Sequence, residues 1–175
     1  NYMPWLYWSL KPKHREWAEQ WQAEYQAYLM EMETVEIGKN CFISPLAHIF
    51  AERGRKISIG DNTFIAADCT LHGPLQIGSE VAINHHCILD GGRAGIKLHD
   101  QVRIAAYSHL YAFDHGMDLE RPIYQQAVTS KGIEIGQDVW LGAHVGIKDG
   151  VKIGDHAVIG MNSMVTKDIE KHAIV

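Results

Sequence analysis

A branched aliphatic side chain recurs every six residues along most of this chain, and that period leaves few folds open. Steps of six give Ile37, Ile43, Ile49; Ile59, Ile65, Leu71; Ile77, Ile83, Leu89; Leu98, Ile104, Leu110; Ile135, Leu141, Ile147; and Ile153, Ile159, Val165. The first members of successive triplets are 22, 18, 21, 37 and 18 residues apart, so the unit is an 18-residue coil of three hexapeptides with insertions of 4, 3 and 19 residues.

A second column accompanies the first. Four residues after the first two aliphatics of each coil stand Cys41, Ala47, Thr63, Cys69, Val81, Cys87, Val102, Ser108, Val139, Val145, Ala157 and Ser163, all small or β-branched. Three short strands converging on a narrow prism axis cannot all turn large side chains inward, so each side pairs one large residue with one small one. The three cysteines belong to this column and read as packed thiols rather than nucleophiles or ligands. Glycine follows the first aliphatic in five coils, at Gly38, Gly60, Gly78, Gly136 and Gly154, and reads as a corner with unusual backbone angles; His99 breaks the rule in coil four. The expectation is an all-β fold: a parallel β-helix of about six coils, roughly 29 Å long.

Stacked coils need a cap. Residues 1–36 supply one: after Pro12, the aromatic or apolar residues Trp17, Trp21, Tyr25, Tyr28 and Met32 recur at helical spacing, as a helix covering the first coil would require. Trp5, Tyr7 and Trp8 are the alternative there, as substrate-contacting aromatics. Residues 37–175 form the β-helix domain, and its insertions all follow the third side of a coil, so they project from one prism edge. The longest, residues 114–131, is expected to extrude as a functional loop.

Charge narrows the partners. Sixteen basic against 21 acidic side chains give a net charge of −5, with no basic run, which argues against nucleic acid. No stretch is apolar enough to span a membrane, and the apolar residues 3–10 precede the basic ones, the reverse of a secretory signal. A cytoplasmic protein is expected.

Residues 133–169 read IEIGQDVWLGAHVGIKDGVKIGDHAVIGMNSMVTKDI, and residues 112–118 read AFDHGMD. With the DVWLG and VTKDI blocks, the chain resembles the hexapeptide-repeat acyltransferases, closest to the maltose and galactoside O-acetyltransferase group. The resemblance implies a left-handed hand for the β-helix, a homotrimer, and acetyl-CoA as co-substrate bound between neighbouring prisms, with no metal. The implied reaction is acetyl transfer to a hydroxyl of a small or carbohydrate acceptor by direct attack. Such an attack needs a base near the hydroxyl, and imidazole has the right pKa. His115 matches the family's histidine base. Asp114 is a candidate for the substrate or for orienting the ring, but adjacent residues in extended chain face opposite ways, which favours a loop role. Asn84, in INHHC, matches an asparagine set against the sugar acceptor, or else is a corner residue; His85 and His86 beside it read as solvent-facing. Trp140 matches a tryptophan near the acyl group and pantetheine arm, counted toward both substrate and CoA. Gly142 and Ala143 match backbone amides lining the thioester, where a donor stabilises an oxyanion. Gly160 and Met161 lie one coil later on the same edge, Met161 replacing the usual alanine. Thr166 and Lys167 match the CoA-contacting pair, the lysine as a point charge for phosphate. The family's distal segment, a glycine-proline turn followed by basic residues at the adenine and 3′-phosphate end of the CoA site, has no counterpart in the residues up to Val175.

Two other classes remain on the same scaffold. A γ-carbonic anhydrase-like zinc lyase needs three converging ligands, and closely spaced ligand histidines have no counterpart around His109 and His115. A non-catalytic solenoid scaffold would bind no CoA species.

Overall fold

A computed structural model describes residues 3–175. Three six-stranded parallel sheets each take one strand from every coil, from Val35–Ile37, Phe42–Ile43 and His48–Phe50 in the first coil to Lys152–Ile153, Val158–Ile159 and Met164–Val165 in the sixth. The chain thus winds a left-handed parallel β-helix. Its sheets are called here the first, second and third faces, and its corners are named by the faces they join.

Registry explains the hexad. Ile59 pairs with Ile77, Ile65 with Ile83 and Leu71 with Leu89, so each aliphatic stacks on its equivalent one coil away. Seventeen of the eighteen are buried, and only Ile37 in the first coil is half-exposed. Each such burial stabilises the fold by about 1.5–3 kcal/mol relative to exposure. The small column is inside as well: Cys69, Cys87, Val102 and Ser108 have no exposed surface, and only Ser163 is half-buried.

The glycines have a different cause from the one their position suggests. Gly38, Gly60, Gly78, Gly136 and Gly154 are absent from the residues with positive φ. They are needed for close approach instead: a Cβ at Gly60 would lie 2.6 Å from the carbonyl carbon of Gly78. The left-handed corner positions fall two residues later and carry side chains, namely Asn40, Asn62, Glu80, Gln101, Asp138 and His156.

Two helices precede the first coil, α1 (Pro4–Trp8) and α2 (Pro12–Met32), and the first strand begins at Val35, two residues before the expected boundary. Helix α2 covers the first coil with only part of the expected stripe, Trp21 packing against Phe42 and Tyr25 against the core. Trp17, Tyr28 and Met32 are exposed, and Ala18, Gln22 and Leu29 are buried, with Tyr25 packed partly against the core. The reason is the open ladder of the first coil, whose backbone groups need polar partners. Gln22 supplies them, its Oε1 accepting from Ile43 N (2.8 Å) and its Nε2 donating to Ile43 O (3.0 Å). Gln26 Nε2 donates to Cys41 O at 2.8 Å. Helix α1 lays aromatics over the outside of the second face. Tyr7 is buried against Phe42 with ring centroids 5.1 Å apart, and Trp8 meets Phe64 edge-on at 5.7 Å. Tyr7 is therefore a packing residue, and Trp5 stays exposed.

The insertions lie on the third/first edge, as their positions require. The longest is an ordered arm. Asp114 and Thr129 pair in both directions at 2.9 Å across its base. Gln126, buried inside it, donates to the carbonyls of Asp118 and Arg121 and accepts from Asp118 N. Its tip presents Leu119 and Tyr124 to solvent.

Candidate active site

The candidate residues fall on two edges of the prism. Asn84, Gly142, Ala143, Gly160 and Met161 follow second-face strands and lie at the second/third corner; Trp140 stands outward on the second face beside them, 54% exposed. Asp114, His115, Thr166 and Lys167 follow third-face strands and lie at the third/first edge. A whole face separates the two groups within one chain.

His115 is exposed at the base of the long arm, with Phe113 edge-on to its ring at 6.5 Å. Its nitrogens have no hydrogen-bond partner among the described residues, which leaves the imidazole free to take a proton. Asp114 is occupied elsewhere: its Oδ2 lies 2.8 Å from Lys148 Nζ, and its backbone closes the arm. The hydrogen bond and charge of Asp114 push the Lys148 ammonium above its ordinary pKa. The carboxylate thus anchors the arm rather than orienting the ring.

Asn84 is half-buried and its Nδ2 donates to Ile104 O at 3.0 Å, while its Oδ1 has no hydrogen-bond partner among the described residues. Gly142 differs from the expectation of a free amide. Its N–H donates to Ile159 O at 2.8 Å within the coil ladder, and a Cβ there would sit 2.6 Å from Met161 N. The residue is glycine because successive coils touch there. The amide of Ala143, in the corner turn, donates to no backbone carbonyl among the described residues. Gly160, Met161, Thr166 and Lys167 are all exposed, and Thr166 and Lys167 border a shallow groove with Met164 and Val175.

Two features at these edges escaped sequence reasoning. Beside Asn84, His86, Tyr107 and His144 stack in a column along the corner, with centroids 4.8 and 5.0 Å apart. On the other edge the insertions enclose a pocket next to Phe113, lined by Arg55, His72, Asp90 and Arg93. The insertions were legible as loops, but nothing in their local sequence marks which side chains meet across coils. Among the described residues no three His, Cys, Asp or Glu side chains converge to hold a metal, and no helix is long and apolar enough to cross a membrane.

Residues 132–167 match the family model described as bacterial transferase hexapeptide (six repeats). The chain is 28% identical over 155 residues to galactoside O-acetyltransferase of Escherichia coli (strain K12), covering 87% of this chain and 64% of that protein. It is 31% identical over 153 residues to galactoside O-acetyltransferase of Lactococcus lactis, with the same coverage. It therefore spans just under two thirds of the length of these relatives. Among solved structures, a variant of AntD, an N-acyltransferase from Bacillus cereus in complex with dTDP-4-amino-4,6-dideoxyglucose and coenzyme A, superposes with a TM-score of 0.74 at 31% identity, covering 85% of this chain and 82% of that one. The chain belongs to the hexapeptide-repeat acyltransferases. The segment matched by the family model is the last two coils, which carry Trp140, Ala143, Gly160, Thr166 and Lys167.

Proposed function

We propose that this protein is an acetyl-CoA-dependent O-acyltransferase that moves an acetyl group to a hydroxyl of a small or carbohydrate acceptor, in a homotrimer whose sites lie between subunits. The observation that carries this reading is the unpartnered imidazole of His115 on one edge, with Asn84, Trp140 and Ala143 grouped on the other. One protomer's third/first edge laid against a neighbour's second/third corner would bring the two groups together. Solved relatives that hold coenzyme A and relatives named as acetyltransferases support the donor.

In this reading the acceptor hydroxyl, held by the Asn84 amide, gives its proton to His115 as its oxygen bonds to the thioester carbon. The carbonyl oxygen takes up negative charge beside the Ala143 N–H. The C–S bond then breaks, and the proton passes from His115 to the departing CoA sulfur. Trp140 and Met161 flank the pantetheine arm, and Thr166 and Lys167 contact CoA, the ammonium of Lys167 beside phosphate. Buried free thiols at Cys41, Cys69 and Cys87 fit a reducing cytoplasm.

Thiol release from acetyl-CoA, screened over hydroxyl and amino acceptors, tests the reaction. His115→Ala should lower kcat by about 10² to 10⁴ with CoA affinity and Tm retained, because the ring contributes nothing to the core. A variant with near wild-type kcat removes His115 as base.

A further inference from the structure

We infer that the pocket on the third/first edge is the acceptor subsite and that it selects an acceptor carrying an anionic group, a phosphoryl or a carboxyl. The inference rests on the acyl-transfer reading above and adds the chemical class of the acceptor.

The pocket encloses about 310 Å³ and is assembled from all three insertions and the coil-two and coil-three strands beneath them. Its position fits an acceptor. Thr166 and Lys167 follow coil six, whereas the pocket walls come from coils two to four and the insertion after coil one, and His115 leaves coil four between them. Phe113 belongs to both places: it lines the pocket and touches the His115 ring.

Its polar groups decide what it can hold. The carboxylates are already engaged within the wall. Asp90 Oδ1 accepts from Gly92 N at 3.0 Å and its Oδ2 lies 3.3 Å from His72 Nδ1; Glu52 Oε1 lies 3.3 Å from Arg55 Nε and 3.4 Å from His72 Nε2. Both nitrogens of His72 are therefore occupied. Arg55 also donates through Nη1 to Gly73 O at 2.9 Å, which fixes its guanidinium and leaves its second terminal nitrogen without a partner among the described residues. The Arg93 guanidinium has none at all among them, while its backbone is held, Arg93 N and Ala94 N both donating to Ser130 Oγ at 3.0 and 2.9 Å. A ligand entering this pocket meets the Phe113 ring and free guanidinium N–H groups; the one carboxylate that lines it, Asp90, has both oxygens engaged, while Glu52, whose Oε2 has no partner among the described residues, lies outside the lining. Guanidinium forks match the oxygens of phosphate and carboxylate. Arg55 and Arg93 balance Glu52 and Asp90 in formal charge, so selection comes from directed hydrogen bonds rather than net potential.

Calorimetric titration of the whole protein with CoA bound, using glucose 1-phosphate, glucuronate and methyl glucoside, reads the pocket without relying on turnover. At least one anionic probe should bind about tenfold tighter than the neutral one, and which of the two does so separates phosphoryl from carboxyl recognition. Arg93→Ala should bring that ratio to within about threefold of unity, whereas Arg53→Ala, exposed on the insertion that carries Arg55 but outside the pocket, should keep it. Equal binding of the three probes, no binding of any, or an unchanged ratio in Arg93→Ala overturns the assignment. Arg93-dependent anion binding in a protein that transfers no acetyl group would instead overturn the acyl-transfer reading, and transfer without discrimination would overturn the pocket alone.

Discussion

Corner residues show how single side chains offset an awkward backbone. Asp68, His86, Tyr107, His144 and Asn162 all have φ near +60° at the second/third corner, a region that costs a residue with a Cβ about 1 kcal/mol or more. Stacking recovers part of it. The Tyr107 and His144 rings are 4° from parallel, and aromatic pairs of this kind contribute about 0.5–1.5 kcal/mol each. Beneath this corner Cys69 Sγ donates to Asn84 O at 3.0 Å and Cys87 Sγ to Ala105 O at 3.2 Å. The hydrogen bond with Cys87, together with burial, pushes the Cys69 thiol far above its ordinary pKa, while the same hydrogen bond lowers that of Cys87; both side chains are fully buried in the core column. Cys87→Ala should therefore lower stability by about 1 kcal/mol, or Tm by about 3 °C, through the small cavity it leaves. Thermal melts and acetyl-transfer rates on one preparation check this; a folded variant without activity would give the thiol a chemical role.

Helix α2 works as a surrogate strand at the scale of the element. An uncovered first coil would expose a template for pairing with another chain, and the Gln22 and Gln26 amides close it with bonds that mimic the next coil. Gln22→Leu has similar bulk but leaves Ile43 N–H and C=O unpaired in a buried place, which costs about 1–3 kcal/mol per group. A lower midpoint in urea with faster amide exchange confined to the first coil is expected. An unchanged midpoint would mean that packing at Ala18 and Leu29 alone seats the helix. The exposed aromatic stripe of Trp17 and Tyr28 shows why spacing misjudged the buried face: the ladder beneath selected for hydrogen bonding, and glutamine at helical spacing carries no distinctive pattern.

The whole molecule has apolar surface that a lone prism leaves open. Phe50, Tyr111 and Met164 stand outward on the third face, Trp140 on the second, and Leu119 and Tyr124 at the tip of the arm. A trimer built on the third/first edge and the second/third corner would cover these and assemble each site from two chains. Mixing His115→Ala and Asn84→Ala protomers, each inactive alone, should then restore activity to about a quarter of wild type, because random exchange leaves about that share of sites with both native residues. Sedimentation of the same mixture should give three chains per particle. No recovery on mixing, in a particle shown to have exchanged subunits, would place both residues in one chain's site.

The coil count, the inward columns, the position of every insertion and the residues carrying the transferase motif were determined by the sequence alone, because a period of six repeated eighteen times admits one register. Contacts between coils were decided only in three dimensions. The glycines after the first aliphatic serve close approach, Gly142's amide is committed to the ladder, and Asp114 is bound to Lys148 rather than to the histidine beside it. The pocket of Arg55, His72 and Arg93 joins residues 17 to 38 positions apart. Periodicity reports which way a side chain points, in or out, whereas a partner 18 or more residues away is chosen by the stacking of coils and the paths of their loops.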